Sequence, residues 1–288
     1  MKDMAEVLRA PGGHWVGDGF PVRSLFSYTG RAERLSPFLL LDYAGPHEFA
    51  PATRPRGVGE HPHRGFETVT IVYRGEVEHL DSTGAGGRIG PGDVQWMTAG
   101  SGILHQEFHS RAFTRRGGPF EVVQLWVNLP AAGKAAAPGY QTLTDASIPT
   151  AALDAAAGRA RVIAGTFGDT RGPAHTRSPV NVVDLRLAAG RPTRLPLTDG
   201  WTSILVVLHG PVGLNGAYRL HDAEGVRFEP GGDGVAIEAD ADATVLLLEG
   251  EPIDEPIAAH GPFVMNTRAE IREALEDFRS GRFGRLTG

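Results

Sequence analysis

The chain has 288 residues, 41% hydrophobic and 22% charged, with a formal net charge of −6. That balance suits a globular protein with a buried core and excludes a disordered one. There is no cysteine, which removes disulfides, thiolate metal sites and cysteine nucleophiles at once. Acidic residues outnumber basic ones on both sides of residue 130, so direct nucleic-acid binding is not expected.

Met1 to Ala10 is charged and lacks the apolar core of a secretory signal. No run approaches the ~18 apolar residues of a membrane span, so no membrane partner is expected and the expected location is cytoplasmic. With 39 glycines and 21 prolines, the chain reads as many short strands joined by tight turns. In the first half these fall near Thr68–Tyr73, Val77–Leu80, Val94–Met97, Ile103–His109 and Val122–Leu129. Ala131–Pro138 is poor in large apolar groups and reads as a linker or a short surface helix. Ala151–Gly158 reads as a short helix on composition alone. Further strands are expected near Arg161–Ala164, Val180–Leu187, Ser203–Leu208, Val212–Leu214, Val235–Ala239 and Thr244–Glu249. At the C-terminus Thr267 and Glu270 form a capping box, Ile271, Leu275 and Phe278 share a stripe, and Gly281 supplies the stop, which predicts a helix over 267–280. The chain thus divides into an N-terminal domain 1–132, a linker 133–145 and a C-terminal domain 146–288, two versions of one all-β design.

Seven of the 11 histidines precede residue 110. Side chains at i and i+2 of an extended segment share a face, so His61 and His63 can reach one ion. His105 and Glu107 repeat the arrangement on a second segment. Three imidazole nitrogens and a carboxylate oxygen suit Fe, Mn, Co, Ni, Cu or Zn, and on an octahedral ion they leave two positions for substrate, water or dioxygen. Glu67 has the parity of His61 and His63 and could serve as a fifth or substitute ligand, although a carboxylate at that spacing reads more readily as a hydrogen-bond partner for a ligating imidazole. His109 reads as peripheral, and His14, His47 and His79 as ordinary. Phe66, Trp96, Met97 and Trp126 are candidates for an apolar wall. His175, His209, His221 and His260 are isolated, which confines the expected metal site to the first half.

The stretch HPHRGFETVTIVYRGEVEHLDSTGAGGRIGPGDVQWMTAGSGILHQE, His61 to Glu107, closely resembles the signature region of the pirins, members of the cupin superfamily. The resemblance continues through SPFLLLDY at Ser36–Tyr43, VQLWVNLP at Val123–Pro130, and GPFVMNT with FRSGRFG between Gly261 and Gly284. It implies a bicupin: two antiparallel jelly-roll β-barrels packed face to face, with one metal, usually Fe(II), in the first barrel and none in the second. The generic cupin pattern would recruit Glu67. The pirin pattern instead carries ligand roles onto His61, His63, His105 and Glu107.

Some pirins resemble quercetin 2,3-dioxygenases, which open a flavonol ring with dioxygen, and Glu107 would then also take the substrate proton. The other reading is a non-enzymatic, redox-sensitive iron protein that binds a transcription factor or a metabolic enzyme.

Overall fold

The computed structural model describes residues 1–30 and 32–287. Runs rich in Val, Ile, Thr and Leu become strands, and the most continuous of them are buried on both faces, as at Phe66–Arg74 and Ala243–Gly250. Glycines at positive φ, such as Gly75, Gly84 and Gly92, turn the chain between them. The result is the all-β architecture with a C-terminal helix that the sequence suggests.

Two compact units form. In the unit that carries residues 38 to 145, a seven-stranded antiparallel sheet runs in the order Gly139–Leu143, Val94–Thr98, Phe66–Arg74, Gly118–Asn128, Phe38–Phe49, Phe20–Ser27, Gly13–Val16. A four-stranded sheet accompanies it, in the order Gly57–His63, Ile103–His109, Val77–Asp81, Gly86–Ile89. The other unit repeats the plan with one seven-stranded and one four-stranded sheet. Its interior is filled by side chains such as Val162, Leu185, Leu205, Val226, Val235 and Leu247, all 0% exposed. Burying each contributes on the order of 1.5–3 kcal/mol.

The division at 1–132, 133–145 and 146–288 needs correction at four places, one of them Arg34–Pro37, which belongs to the later unit. Met1–Ala10 belongs to the later unit, because strand Met4–Arg9 finds its ladder partner in Glu224–Phe228, with Val7 opposite Val226 and Leu8 fully buried. The chain from Ile253 onward belongs to the earlier unit, where helix Arg268–Arg279 packs with Leu104, Phe263, Met265 and Phe283. The segment 133–145 is no linker. Its strand Gly139–Leu143 extends the seven-stranded sheet beside Val94–Thr98, and Lys134 is 3% exposed.

Two local expectations also change. Ala151–Gly158 holds a strand, Thr150–Ala152, and one 3₁₀ turn, Asp154–Ala156, because the ladder with Arg159–Arg161 overrides the helix preference of alanine. The terminal helix has its capping box, but Ile271, Ala274 and Asp277 are its buried residues, and Phe278 is 38% exposed. The rotation has an electrostatic cause. The Arg64 guanidinium, nearly buried, draws Asp277 to 2.6 Å and Glu273 to 3.3 Å.

Candidate metal centre

Strand Ile103–His109 is the central element, paired on one side with Gly57–His63 and on the other with Val77–Asp81. Register sets His105 against His61 and Ile103 against His63, so three imidazoles converge with ring centroids 4.1 to 4.9 Å apart. On the other side Glu107 faces His79, and His105 faces Asp81. Donor atoms within 4.8 Å of one another form two triples that share His105: His61, His63 and His105, and His79, His105 and Glu107. A register shift between His105 and Glu107 separates the carboxylate from the first triple.

The three imidazoles are prepared for an ion. His61 Nδ1 donates to the Gly59 carbonyl at 2.8 Å, and His63 has a backbone hydrogen bond with Pro262, which can only be an acceptor. Among the described residues, His63 Nδ1 and His105 Nε2 are buried ring nitrogens without a hydrogen-bond partner. A buried polar atom left unpaired costs on the order of 1–3 kcal/mol, a cost that a bound cation removes. Desolvation, followed by the neighbouring imidazoles, holds His63 and His105 well below the usual histidine range. Both are therefore neutral near pH 7, the form that ligates. The donor set fits a divalent transition metal.

Glu107 has its Oε1 within reach of the Thr70 hydroxyl at 3.2 Å and of Gln95 Nε2 at 3.5 Å. With His61 and His63 it borders a cavity of about 330 Å³, whose other walls include Val16, Phe20, Val58, Val122 and Trp126. That volume falls at the lower end of small-molecule sites. Two polar groups missed in the sequence, Asp42 and Gln124, also face it. Burial pushes the Asp42 carboxyl above its usual range, against the opposing hydrogen bond from Ser24. Asp42 sits in an apolar run that reads as core, and the only hint was a charge inside a buried strand.

Of the four wall candidates, only Trp126 lines the cavity. Phe66 supports His63 at 5.0 Å, Met97 packs with Ala99 and Ile103, and Trp96 is 0% exposed. Glu67 accepts from Thr98 at 2.7 Å and joins neither triple. His109 packs among Phe20, Phe49, Phe113 and Phe120, with Nε2 donating to Gly19. His14 is exposed and His47 half-buried. His79 is not ordinary: it is 4% exposed and one member of the second triple. The signal is in the sequence, where His79 and Asp81 form a third i, i+2 pair beside His61 with His63 and His105 with Glu107.

Gly65 closes the turn that places His63 over Phe66. At φ +89°, a Cβ there would meet the Val264 carbonyl at 2.0 Å. Gly65→Ala is expected to destabilise the metal-free protein by at least about 2 kcal/mol, from left-handed strain plus the clash. Urea denaturation checks this, and an unchanged midpoint would contradict the placement of that turn.

Family comparisons cover nearly the whole chain. The Pirin family model matches residues 19–127, and the model described as the pirin C-terminal cupin domain matches 182–284. A Pseudomonas aeruginosa protein provisionally named a quercetin 2,3-dioxygenase is 56% identical over 98% of this chain and 99% of its own length. Human pirin is 38% identical, over 88% of this chain and 86% of its own. The crystal structure of a quercetin 2,3-dioxygenase from Acinetobacter baumannii superposes with a TM-score of 0.97 at 50% identity, covering 100% of both chains.

Proposed function

The chain belongs to the pirin family, and on that premise we propose that it is an iron-dependent dioxygenase that opens the ring of a flavonol such as quercetin. One observation carries the reading: His61 and His63, members of the three-imidazole cluster, also line an apolar cavity of small-molecule size. The names of its Pseudomonas and Acinetobacter relatives support the substrate class.

His61, His63 and His105 would hold the metal, and Glu107 would complete the set. Bound there, Fe(II) would acidify a flavonol hydroxyl and bring dioxygen beside the activated ring. Glu107, held at Oε1 by Thr70 and Gln95, would take the hydroxyl proton on its other oxygen as that oxygen loosens from the ligand set. Asp42 and Gln124 offer hydrogen bonds to the remaining hydroxyls of the ligand. Phe20, Val58, Val122 and Trp126 exclude water and give its rings an apolar wall.

Oxygen uptake by iron-loaded protein with quercetin tests this. Glu107→Gln is expected to lower kcat by about 10²-fold or more, the usual worth of a positioned base. Trp126→Ala is expected to raise KM about tenfold while leaving kcat closer to wild type. Absence of turnover in iron-replete wild type refutes the activity on this substrate.

A further inference from the structure

A line of polar groups outside the proposed ligand set runs toward His105. Asp81 Oδ1 is taken by the hairpin it starts: the Thr83 amide and hydroxyl donate to it at 2.8 and 2.6 Å, and the Ala85 amide at 3.3 Å. Oδ2 is left to face His79 Nε2 at 3.2 Å, with both side chains at 0% exposure. A carboxylate only accepts, so the His79 ring proton sits on Nε2 and Nδ1 is a lone pair. Two groups address that lone pair. Gln95 Nε2 lies 3.1 Å away, its amide oriented by the Tyr140 hydroxyl on Oε1, and His105 Nδ1 lies 3.3 Å away. Tyr140 also stacks on the His79 ring at 4.8 Å and 14°. His105 is then protonated on Nδ1, and its opposite nitrogen, Nε2, is one of the two buried ring nitrogens of the three-imidazole cluster that have no partner among the described residues.

We propose that Asp81 and His79 form a positioning relay that sets the tautomer of His105, so that Nε2 meets a metal as a bare lone pair. The inference rests on the metal-binding reading above and extends it to two residues that touch neither ion nor substrate. Its physical basis is that a ligating imidazole needs its second nitrogen held by an acceptor, which orients the ring and raises its basicity. The acceptor here is another imidazole, itself fixed by a carboxylate.

Asp81→Asn is the direct test. The Thr83 and Ala85 amides keep the side-chain oxygen, so the new NH₂ turns toward His79 Nε2. Two donors then face each other unless His79 moves its proton to Nδ1, where it opposes the proton of His105. Nitrogen-15 NMR of the metal-free protein reads the tautomer without any metal. The expected result is a protonated Nδ1 and bare Nε2 on His105 in wild type, shifting toward an Nε2-protonated ring in Asp81→Asn. Anaerobic competition titration with Fe(II) is expected to show affinity about 10- to 100-fold weaker in Asp81→Asn. His79→Phe, which keeps a ring on Tyr140, should show the same loss, and the double variant should bind no worse than His79→Phe alone. An Nε2-protonated His105 in wild type, wild-type affinity in Asp81→Asn, or additive losses in the double variant each overturn the relay. Failure of wild type to bind Fe(II) counts against the proposed function, and the tautomer measurement then judges the relay by itself.

Discussion

Replacing His105 by alanine is expected to yield a folded protein that neither retains iron nor consumes dioxygen with quercetin. His105 is the single residue shared by both triples, it is 0% exposed, and its strand lies between the two that carry its partners. Loss of an outer hydrogen-bond partner typically costs 10- to 100-fold in metal affinity, so loss of the ligand itself should exceed about 10³-fold. The fold should pay less. The side chain is enclosed, but removing it also removes an unpartnered nitrogen, so the penalty should fall near the common range of about 1–2 kcal/mol. His109→Ala is the control, because His109 occupies the same strand but packs among phenylalanines. It should lose stability and keep its metal. Elemental analysis after dialysis against a weak chelator, with oxygen uptake on the same samples, reads both. Normal metal content in His105→Ala would end the assignment of the site.

The second large effect concerns a lysine, one of only two in the chain. Lys134 Nζ donates to the Gly65 carbonyl at 2.9 Å, to Asn128 Oδ1 at 2.8 Å and to the Val264 carbonyl at 2.9 Å. Methionine has nearly the same shape and no donor. Lys134→Met therefore takes the lysine donor away from three buried acceptors and is expected to cost about 2–4 kcal/mol at pH 7. The pH dependence gives a separate check. Desolvation lowers Lys134 from 10.5 to about 8, with Glu255 and Glu270 acting in the opposite sense. Between those values the unfolded chain binds more protons than the folded one, so stability rises with pH across that window. The advantage of wild type over Lys134→Met should accordingly grow from pH 8 toward 10.5, by at most about 3 kcal/mol. Paired denaturant titrations measure it. A difference that shrinks over that range would mean the lysine is held above its ordinary pKa.

The all-β class, most strand positions and the meeting of His61, His63 and His105 were legible because each depends on short-range alternation. An i, i+2 pair declares its common face from two residues, and the glycine turns between the pairs imply neighbouring strands. Three things escaped for reasons of distance. Strand Met4–Arg9 carries a charged, irregular pattern, and nothing local indicates that its partner lies at Glu224–Phe228. Arg64 looks like a solvated arginine until Asp277 is brought to it. His79 reads as ordinary from its neighbours in sequence, whereas its burial follows from the antiparallel pairing of Val77–Asp81 with Ile103–His109. Position along a strand can be read from sequence. Position across a sheet needs the register.

The exchanged ends have a consequence for biosynthesis. At about 5–20 residues per second on a ribosome, Arg9 emerges roughly 10–40 s before Glu224, its salt-bridge partner 215 positions away. The first strand must wait as an unmated edge for that interval, exposed to a chaperone or to another nascent chain. The same delay applies to the candidate metal centre. His63 is made some two hundred residues before Pro262, the acceptor that orients it, and Arg64 before Asp277. The cavity lining is complete by Trp126, but the groups that hold His63 and Arg64 arrive only when translation is nearly done, so metal loading is expected to be a late event and not one that follows the emergence of the histidines.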